Sequence, residues 1–180
     1  MADARTVKTR AALAGALLAL AGEKDFADLT IGEIAQRAGI GYATFFRHYR
    51  DKEALLAAVA DTLMDELLAM MAPALLQEDT RTASIALCRF VDARRPICRA
   101  LLAGGAEANV RQHLVERAVR LAMTLDLPQP GPLPADLLII HAVTATLGLL
   151  GWWLEHDGGL DAVAMGAAID RLVMGPVRRA

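Results

Sequence analysis

The stretch LTIGEIAQRAGIGYATFFRHYRDKEALL, residues 29–56, contains the most specific structural signals in the chain. Thr30 and Glu33 stand three residues apart in the order of a capping box, in which the hydroxyl accepts a backbone N–H bond and the carboxylate reaches back. Gly39 follows where the chain must turn sharply, and glycine tolerates the positive φ that such a turn needs. A second short helix is predicted over 41–49. Two short helices joined by a tight glycine turn predict a helix-turn-helix.

The aromatic side chains of the second helix divide between a buried face and an outer arc. Phe45 and Tyr49 are spaced i, i+4, so both are predicted to pack against the first helix of the pair. The outer arc and the N-terminal end then carry Tyr42, Ala43, Thr44, Arg47 and His48. That is the part of a recognition helix that enters the DNA major groove. The alternative is an aromatic-rich helical hairpin buried in a core.

With these residues, 29–56 resembles the DNA-binding signature of the TetR (tetracycline repressor)/AcrR family of bacterial transcriptional regulators. The resemblance implies an all-α fold of about nine helices. Residues 1–50 would form a three-helix helix-turn-helix DNA-binding domain, and 51–180 a larger helical regulatory, ligand-binding and dimerisation domain. It also implies a cytoplasmic homodimer that binds a near-palindromic double-stranded DNA operator, acts as a repressor and is released by a small-molecule effector.

The resemblance assigns DNA contacts residue by residue. Tyr42 and Ala43 match positions near bases, and Lys52 matches a phosphate contact at the start of the fourth helix, where its ammonium and the helix N-terminus both favour an anion. The complete set of predicted DNA-binding residues is Thr30, Gly41, Tyr42, Ala43, Thr44, Phe46, Arg47, His48 and Lys52.

Two residues depart from the family pattern. Phe46 stands where the family usually has a tyrosine whose hydroxyl holds a phosphate, so a charge-assisted hydrogen bond of about 1.5–3 kcal/mol is missing. Gly41 replaces a common Ser or Thr cap, at a cost of a few tenths of a kcal/mol. Phosphate binding is therefore expected to depend more on Arg47, Thr44 and Lys52, with Arg5 or Lys8 as further candidates.

Charge is distributed unevenly in a chain whose net charge is −2. Residues 1–52 contain eight Lys and Arg against six Asp and Glu, and residues 53–180 contain eleven against fifteen. All the lysines lie in the first of these segments. This asymmetry is weak support for an anion-binding N-terminal region.

The long helix predicted over 52–71 would connect the DNA-binding region to the ligand-binding domain. An apolar pocket for a hydrophobic effector is predicted beside its far half. Its candidate lining residues are Met64, Leu67, Leu68, Met71, Phe90, Arg94, Cys98, His113, His141 and Trp152. The alternative reading of each apolar residue is ordinary core packing, and that of His141 is a hydrogen-bonded core histidine.

The uncharged segment 137–154 is at the lower edge of membrane-spanning length. Asp136 and Glu155 bracket it, so we expect a helix buried in protein, partly by a second subunit, and no membrane association. The helices predicted over 135–156 and 161–174 are the dimer candidates. The expected interface residues are Leu147, Leu150, Trp153, Leu154, Ala164, Ala167 and Ala168. The alternative is that both helices only complete a monomer core.

Rival functions lack the residues that they need. The chain has one serine, Ser84, no nucleophile elbow and no paired metal-ligand spacing, so no enzyme activity, catalytic residue, metal site or cofactor is predicted. A dimeric ligand-binding or redox-sensing module that uses Cys88 and Cys98, without sequence-specific DNA binding, remains the alternative. The operator, the regulated genes, the effector and the direction of regulation are not readable from the sequence.

Overall fold

Helices make up the regular structure of the described residues, which contain no β-strand. The structure is a computed structural model that describes residues 4–77, 79–102, 108–124, 132–156 and 159–177. The first helices are α1 (Ala4–Ala21), α2 (Ile31–Arg37), α3 (Tyr42–Phe45), α4 (Lys52–Leu76) and α5 (Thr80–Asp92). The others are α6 (Arg95–Leu102), α7 (Ala108–Met123), α8 (Ala135–Glu155) and α9 (Ala162–Ile169). The all-α prediction is confirmed.

The recognition helix is shorter than predicted. α3 has four residues. Beyond it, the N–H groups of Arg47 and His48 donate to carbonyls three residues earlier, those of Thr44 and Phe45, and the Tyr49 N–H donates to the Phe45 carbonyl four residues earlier. The chain to Tyr49 is therefore wound but is not regular α-helix. Turns of this kind are common where a short helix ends.

Helix α4 is longer than predicted because it continues through Pro73 to Leu76. A proline inside a helix loses its own N–H bond and usually ends or kinks the helix. Here the carbonyl of Pro73 still accepts the N–H of Gln77 at 3.3 Å. One continuous helix of 25 residues thus leads from the helix-turn-helix into the rest of the chain.

One continuous apolar core extends from α1 to α9. α1 packs against α2, α4 and α6, and α5 lies between α4 and α9. α8 packs against α6 and α7. The domain boundary near residue 50 stays a prediction, since side chains on both sides of it share this core.

The last helix ends irregularly. α9 passes into a π-helical turn, Asp170–Met174, and a final turn, Gly175–Val177. The Thr80 hydroxyl donates to Asp170 Oδ1 at 2.6 Å, which joins the start of α5 to the start of that turn. The predicted helix over 161–174 is therefore confirmed in extent but not in regularity.

Candidate nucleic-acid interface

The capping box at the start of α2 forms as predicted. The Glu33 N–H donates to Thr30 Oγ1 at 3.3 Å, and the Thr30 N–H donates to Glu33 Oε2 at 2.9 Å. Lys24 Nζ donates to Glu33 Oε1 at 2.6 Å. These bonds, first that from Lys24 and then those from Thr30, lower the pKa of Glu33 to about 2. The helix start is thus held by a carboxylate that stays ionised far below neutral pH.

The turn between α2 and α3 has the geometry that the sequence predicts. Gly39 has a φ of 67°, in the left-handed region that favours glycine. The Ile40 N–H donates to the carbonyl of Ala35 at 3.0 Å, and Ala35 is buried where the helices cross. This turn sets the angle at which α3 is presented to solvent.

The aromatic side chains divide as predicted. Phe45 is fully buried, and its ring packs against that of Tyr49, with centroids 6.1 Å apart. Burial raises the pKa of Tyr49. Tyr42 is 60% exposed and Phe46 46% exposed, with edge-to-face rings 5.2 Å apart. The outer pair forms an aromatic patch on the surface that is predicted to face DNA.

Most of the predicted DNA-binding residues are accessible. Thr30, Gly41, Tyr42, Ala43, Phe46 and Arg47 are exposed, and Thr44, His48 and Lys52 are partly exposed. Arg47 has no ion-pair partner among the described residues, so its guanidinium is available to an anion. The arrangement can present one cation, hydroxyls and aromatic edges to a duplex. DNA contact at these positions stays a prediction.

Two members of the set already use their donors within the protein. The Thr30 hydroxyl donates to Glu33 Oε2 at 2.7 Å, and Lys52 is bound more completely. Its Nζ donates to the carbonyl oxygens of Phe26, Ala27 and Leu29 at 2.9, 2.7 and 2.9 Å. An ammonium group has three N–H donors, so these bonds use all of them. Sequence reasoning missed this role because the carbonyls belong to a loop more than twenty residues away.

The predicted ligand-binding residues do not form one cluster. Phe90 and Arg94 line an open groove of about 520 Å³ together with other residues of α4 and α5, namely Met70, Thr82, Ile85, Ala86, Arg89 and Ala93. The Arg94 guanidinium lies 3.9 Å from the centroid of the Phe90 ring. No sequence pattern indicated Arg89 or Met70 as groove residues, because both could equally be solvated helix positions.

Other predicted ligand residues have different surroundings. Met64, Leu67 and Met71 pack against the core, Leu68 is half-buried, and Cys98 is buried. His113 Nε2 lies 3.1 Å from Asp61 Oδ1 of α4. His141 is exposed, which contradicts the alternative reading of a core histidine. Trp152 is also exposed and stacks on His156, with ring centroids 4.6 Å apart.

The dimer prediction is partly wrong. Leu150, Trp153 and Leu154 are 1%, 2% and 0% exposed, so they fill the core of their own chain and have no surface to offer a second subunit. Trp153 Nε1 also donates to the carbonyl of Leu160 at 2.8 Å. Ala164 is exposed, and Leu147, Ala167 and Ala168 are partly exposed.

A different set of apolar side chains is exposed on the last two helices. It consists of Leu137, Ile140 and Trp152 of α8, Val163 of α9 and Leu172 of the π-helical turn. By length and composition α8 alone among the described helices could cross a membrane, and 33% of its most apolar window is buried in the chain. Because α8 is apolar all round, its sequence did not indicate which face was inside.

The cysteines are placed unfavourably for redox sensing. Cys88 and Cys98 are buried free thiols. Burial, as the main cause, raises the pKa of each to about 12. Reactive cysteines need a lowered pKa and access to solvent, so neither thiol fits that role.

Comparison with known proteins agrees with this geometry. Residues 13–59 match the family model for bacterial regulatory proteins of the tetR family. An uncharacterized HTH-type transcriptional regulator of Bacillus subtilis (strain 168), YxbF, is 40% identical over 67 residues. That match covers 37% of this chain and 18% of the YxbF sequence, so the chain spans under a fifth of this relative's length.

Solved structures share the fold over nearly the whole chain. A TetR transcriptional regulator from Rhodococcus sp. RHA1 has a TM-score of 0.70 at 18% identity, covering 93% of this chain and 94% of that one. The regulator FadR from Bacillus subtilis, in complex with stearoyl-CoA, has a TM-score of 0.66 at 14% identity, covering 94% and 98%. The segment 13–59 thus matches the tetR family of bacterial regulatory proteins, and the chain shares its overall fold with solved TetR regulators.

Proposed function

We propose that this protein is a transcriptional regulator that binds a near-palindromic DNA operator as a homodimer and represses transcription until an effector releases it. The observation that carries the proposal is the exposure of Tyr42, Phe46 and Arg47 on α3 and the turn that follows it, which buried Phe45 and the turn at Gly39 hold in place. Aromatic edges and an unpaired guanidinium suit base edges and phosphates. The match to the tetR family supports this reading over an enzyme, and a regulator that binds DNA would act in the bacterial cytoplasm.

Selection of duplexes from a random library at about 150 mM salt tests the DNA-binding proposal. Enrichment of an inverted repeat is expected, because two identical recognition helices related by a twofold axis read two half-sites. Tyr42→Ala and Arg47→Ala should lose the enrichment. Arg81→Ala, which removes an exposed arginine from α5, is the matched control and should keep it. Failure of the wild-type protein to enrich any sequence would contradict the proposal.

We infer that the dimer forms through the exposed apolar side chains of α8 and α9, with Leu147, Ala164, Ala167 and Ala168 at its edges. Burial of these side chains stabilises a dimer by about 25 cal/mol per Å² of apolar surface, which offsets the entropic cost of association. Trp152→Glu should therefore shift the protein to monomer in sedimentation experiments. Leu18→Glu changes an exposed leucine of α1 and should leave the dimer intact. Equal masses for the two variants would contradict this interface.

The groove beside α5 is our proposed effector site. Its volume lies within the usual range for small-molecule sites, and it combines apolar side chains with Arg89 and Arg94. An amphipathic anion fits this combination better than the purely hydrophobic effector expected from sequence. FadR of Bacillus subtilis, a structural neighbour, binds stearoyl-CoA. We therefore propose a long-chain acyl ligand with an anionic head group.

The connection from the groove to DNA runs through α4. Arg94 Nη2 lies 3.3 Å from Glu66 Oε2 of α4. An anion that binds the Arg94 guanidinium would therefore weaken this ion pair. An exposed ion pair contributes only about 0–1 kcal/mol, whereas allosteric coupling usually amounts to about 1–3 kcal/mol. Loss of the Arg94–Glu66 ion pair alone is thus too small to account for the coupling free energy. The acyl chain must also move α5 relative to α4.

Calorimetric titration with stearoyl-CoA, free coenzyme A and stearate separates the two halves of the ligand. Tightest binding by stearoyl-CoA is expected, with release of the selected operator. Arg94→Gln should weaken stearoyl-CoA binding, while Arg81→Gln should not. Binding that is unaffected by Arg94→Gln, or equally tight for coenzyme A alone, would show that the groove is not the site.

A further inference from the structure

The ammonium group of Lys52 is enclosed by the protein itself. Its three hydrogen bonds go to the carbonyl oxygens of Phe26, Ala27 and Leu29, at 2.7–2.9 Å. The same nitrogen lies 4.9 Å from the centroid of the buried Phe26 ring. We refer to Lys52 with these three carbonyl groups as the Lys52 clamp.

The clamp joins two segments that are far apart in the chain. Phe26–Asp28 is the 3-10 turn that leads from α1 to the cap of α2. Lys52 is the first residue of α4, whose start is also capped by Asp51, since Asp51 Oδ1 accepts the Ala54 N–H at 2.7 Å. The clamp thus holds the entry to the helix-turn-helix against the start of the helix that leaves it.

Backbone carbonyls at the end of a helical turn carry partial negative charge and lack intrahelical partners. The carbonyl of Phe26 accepts both the Leu29 N–H at 3.2 Å and Lys52. Lys52 could donate a hydrogen bond to a phosphate only if it gave up its bond to one of the three carbonyl groups. The cost of that exchange argues against the phosphate contact that the family resemblance implied.

We propose that Lys52 is a positioning residue that does not bind DNA itself. It fixes α4 to the loop before α2 and thereby sets the orientation of the recognition helix. The role in DNA binding rests on the proposed function above. A positioning residue and a phosphate ligand differ in two measurable properties. One is the salt dependence of duplex binding, and the other is the exchange rate of loop amides in DNA-free protein.

Salt dependence reports how many phosphates are neutralised. The slope of log K against log salt falls in magnitude by about 0.9 for each lost contact, hence by about 1.8 when both subunits of a dimer lose one. Lys52→Met keeps the apolar stem and removes the charge. It should weaken operator binding by the same factor at every salt concentration, with the slope unchanged. Arg47→Met is the comparison variant, because Arg47 is an exposed cation predicted to contact phosphate directly. Its slope of log K against log salt shows the change expected when a direct contact is lost.

Hydrogen exchange tests the clamp without DNA. The Leu29 and Asp28 amides should exchange about ten- to a hundredfold faster in Lys52→Met, because charge-assisted bonds to this turn are lost. Amides in α9 serve as the internal reference and should not change. Lys52→Arg keeps the charge, but a planar guanidinium cannot direct three donors from one nitrogen. It should therefore show the same fast exchange, and it also keeps the test valid if Lys52→Met does not fold.

The outcomes separate the two roles. Fast exchange confined to the loop, with an unchanged salt slope in both variants, would support the clamp. A slope reduced by about 1.8 in Lys52→Met and restored in Lys52→Arg, with normal exchange, would overturn it. If wild-type protein shows no salt-dependent duplex binding, the proposed function fails. The exchange rates then still decide for or against the clamp.

Discussion

Gly166 lies at a point where α9 closely approaches α5. A Cβ atom added to it would stand 2.5 Å from the Ile85 Cα, 2.8 Å from the Ile85 N and 2.9 Å from the Ile85 Cγ1. Two of these three atoms belong to the backbone, so no side-chain rotation can make room. Gly166→Ala must instead push the two helices apart.

The expected loss of stability follows from that geometry. Overpacking a core costs about 1–3 kcal/mol, and backbone contacts place this site at the upper end. Alanine recovers about 1 kcal/mol of helix propensity over glycine. The net loss is then about 2 kcal/mol, or about 4–8 °C in Tm for a chain of this size.

Gly15→Ala in α1 is the matched control, since an added Cβ meets nothing within 4 Å there. It should raise Tm by about 2–4 °C through helix propensity alone. Both variants are compared by thermal unfolding at one protein concentration, because dimer stability depends on concentration. A Tm for Gly166→Ala at or above wild type would refute the close approach of α5 and α9.

Three further outcomes are expected. Phe46→Tyr should tighten operator binding by about ten- to a hundredfold, as measured by fluorescence anisotropy, by restoring a phosphate hydrogen bond; unchanged or weaker binding would contradict our account of that position. The pKa of Glu33, about 2, is below its usual 4.5, so its bonds to Lys24 stabilise the fold above about pH 4.5 and are lost as pH falls towards 2. The difference in urea midpoint between wild type and Glu33→Gln should therefore shrink from pH 6 to pH 3, and a constant difference would count against this. Cys88 and Cys98 should react with iodoacetamide at pH 7.5 only after denaturation, and fast labelling of native protein would revive the redox alternative.

The helix-turn-helix was predictable because its determinants are local. The capping box joins Thr30 to Glu33 three residues away, and the turn needs one positive φ at Gly39. The buried ring of Phe45 follows from its i, i+4 relation to Tyr49. Hydrogen bonds and sterics over so few residues depend little on the rest of the chain, so sequence spacing alone indicates them.

Polar contacts across the fold were not predictable. The three donors of Lys52 meet carbonyls 23 to 26 residues earlier, and His113 pairs with Asp61 across 52 residues. Lys52 was assigned to a phosphate by the family resemblance, and His113 to the effector pocket by residue type. Only the packing of α4 against its neighbours shows that protein groups already satisfy them.

Local hydrogen bonds and helical spacing specify a helical chain with a helix-turn-helix at residues 29–56, so both features can be read from the amino acids alone. Which face of α8 is buried depends instead on the folded chain. That helix is apolar on every side, so periodicity gives no preference between Trp153, which is buried, and Trp152, which is exposed. The choice depends on how α6 and α7 pack against it, and burial against distant helices is a property of the whole chain.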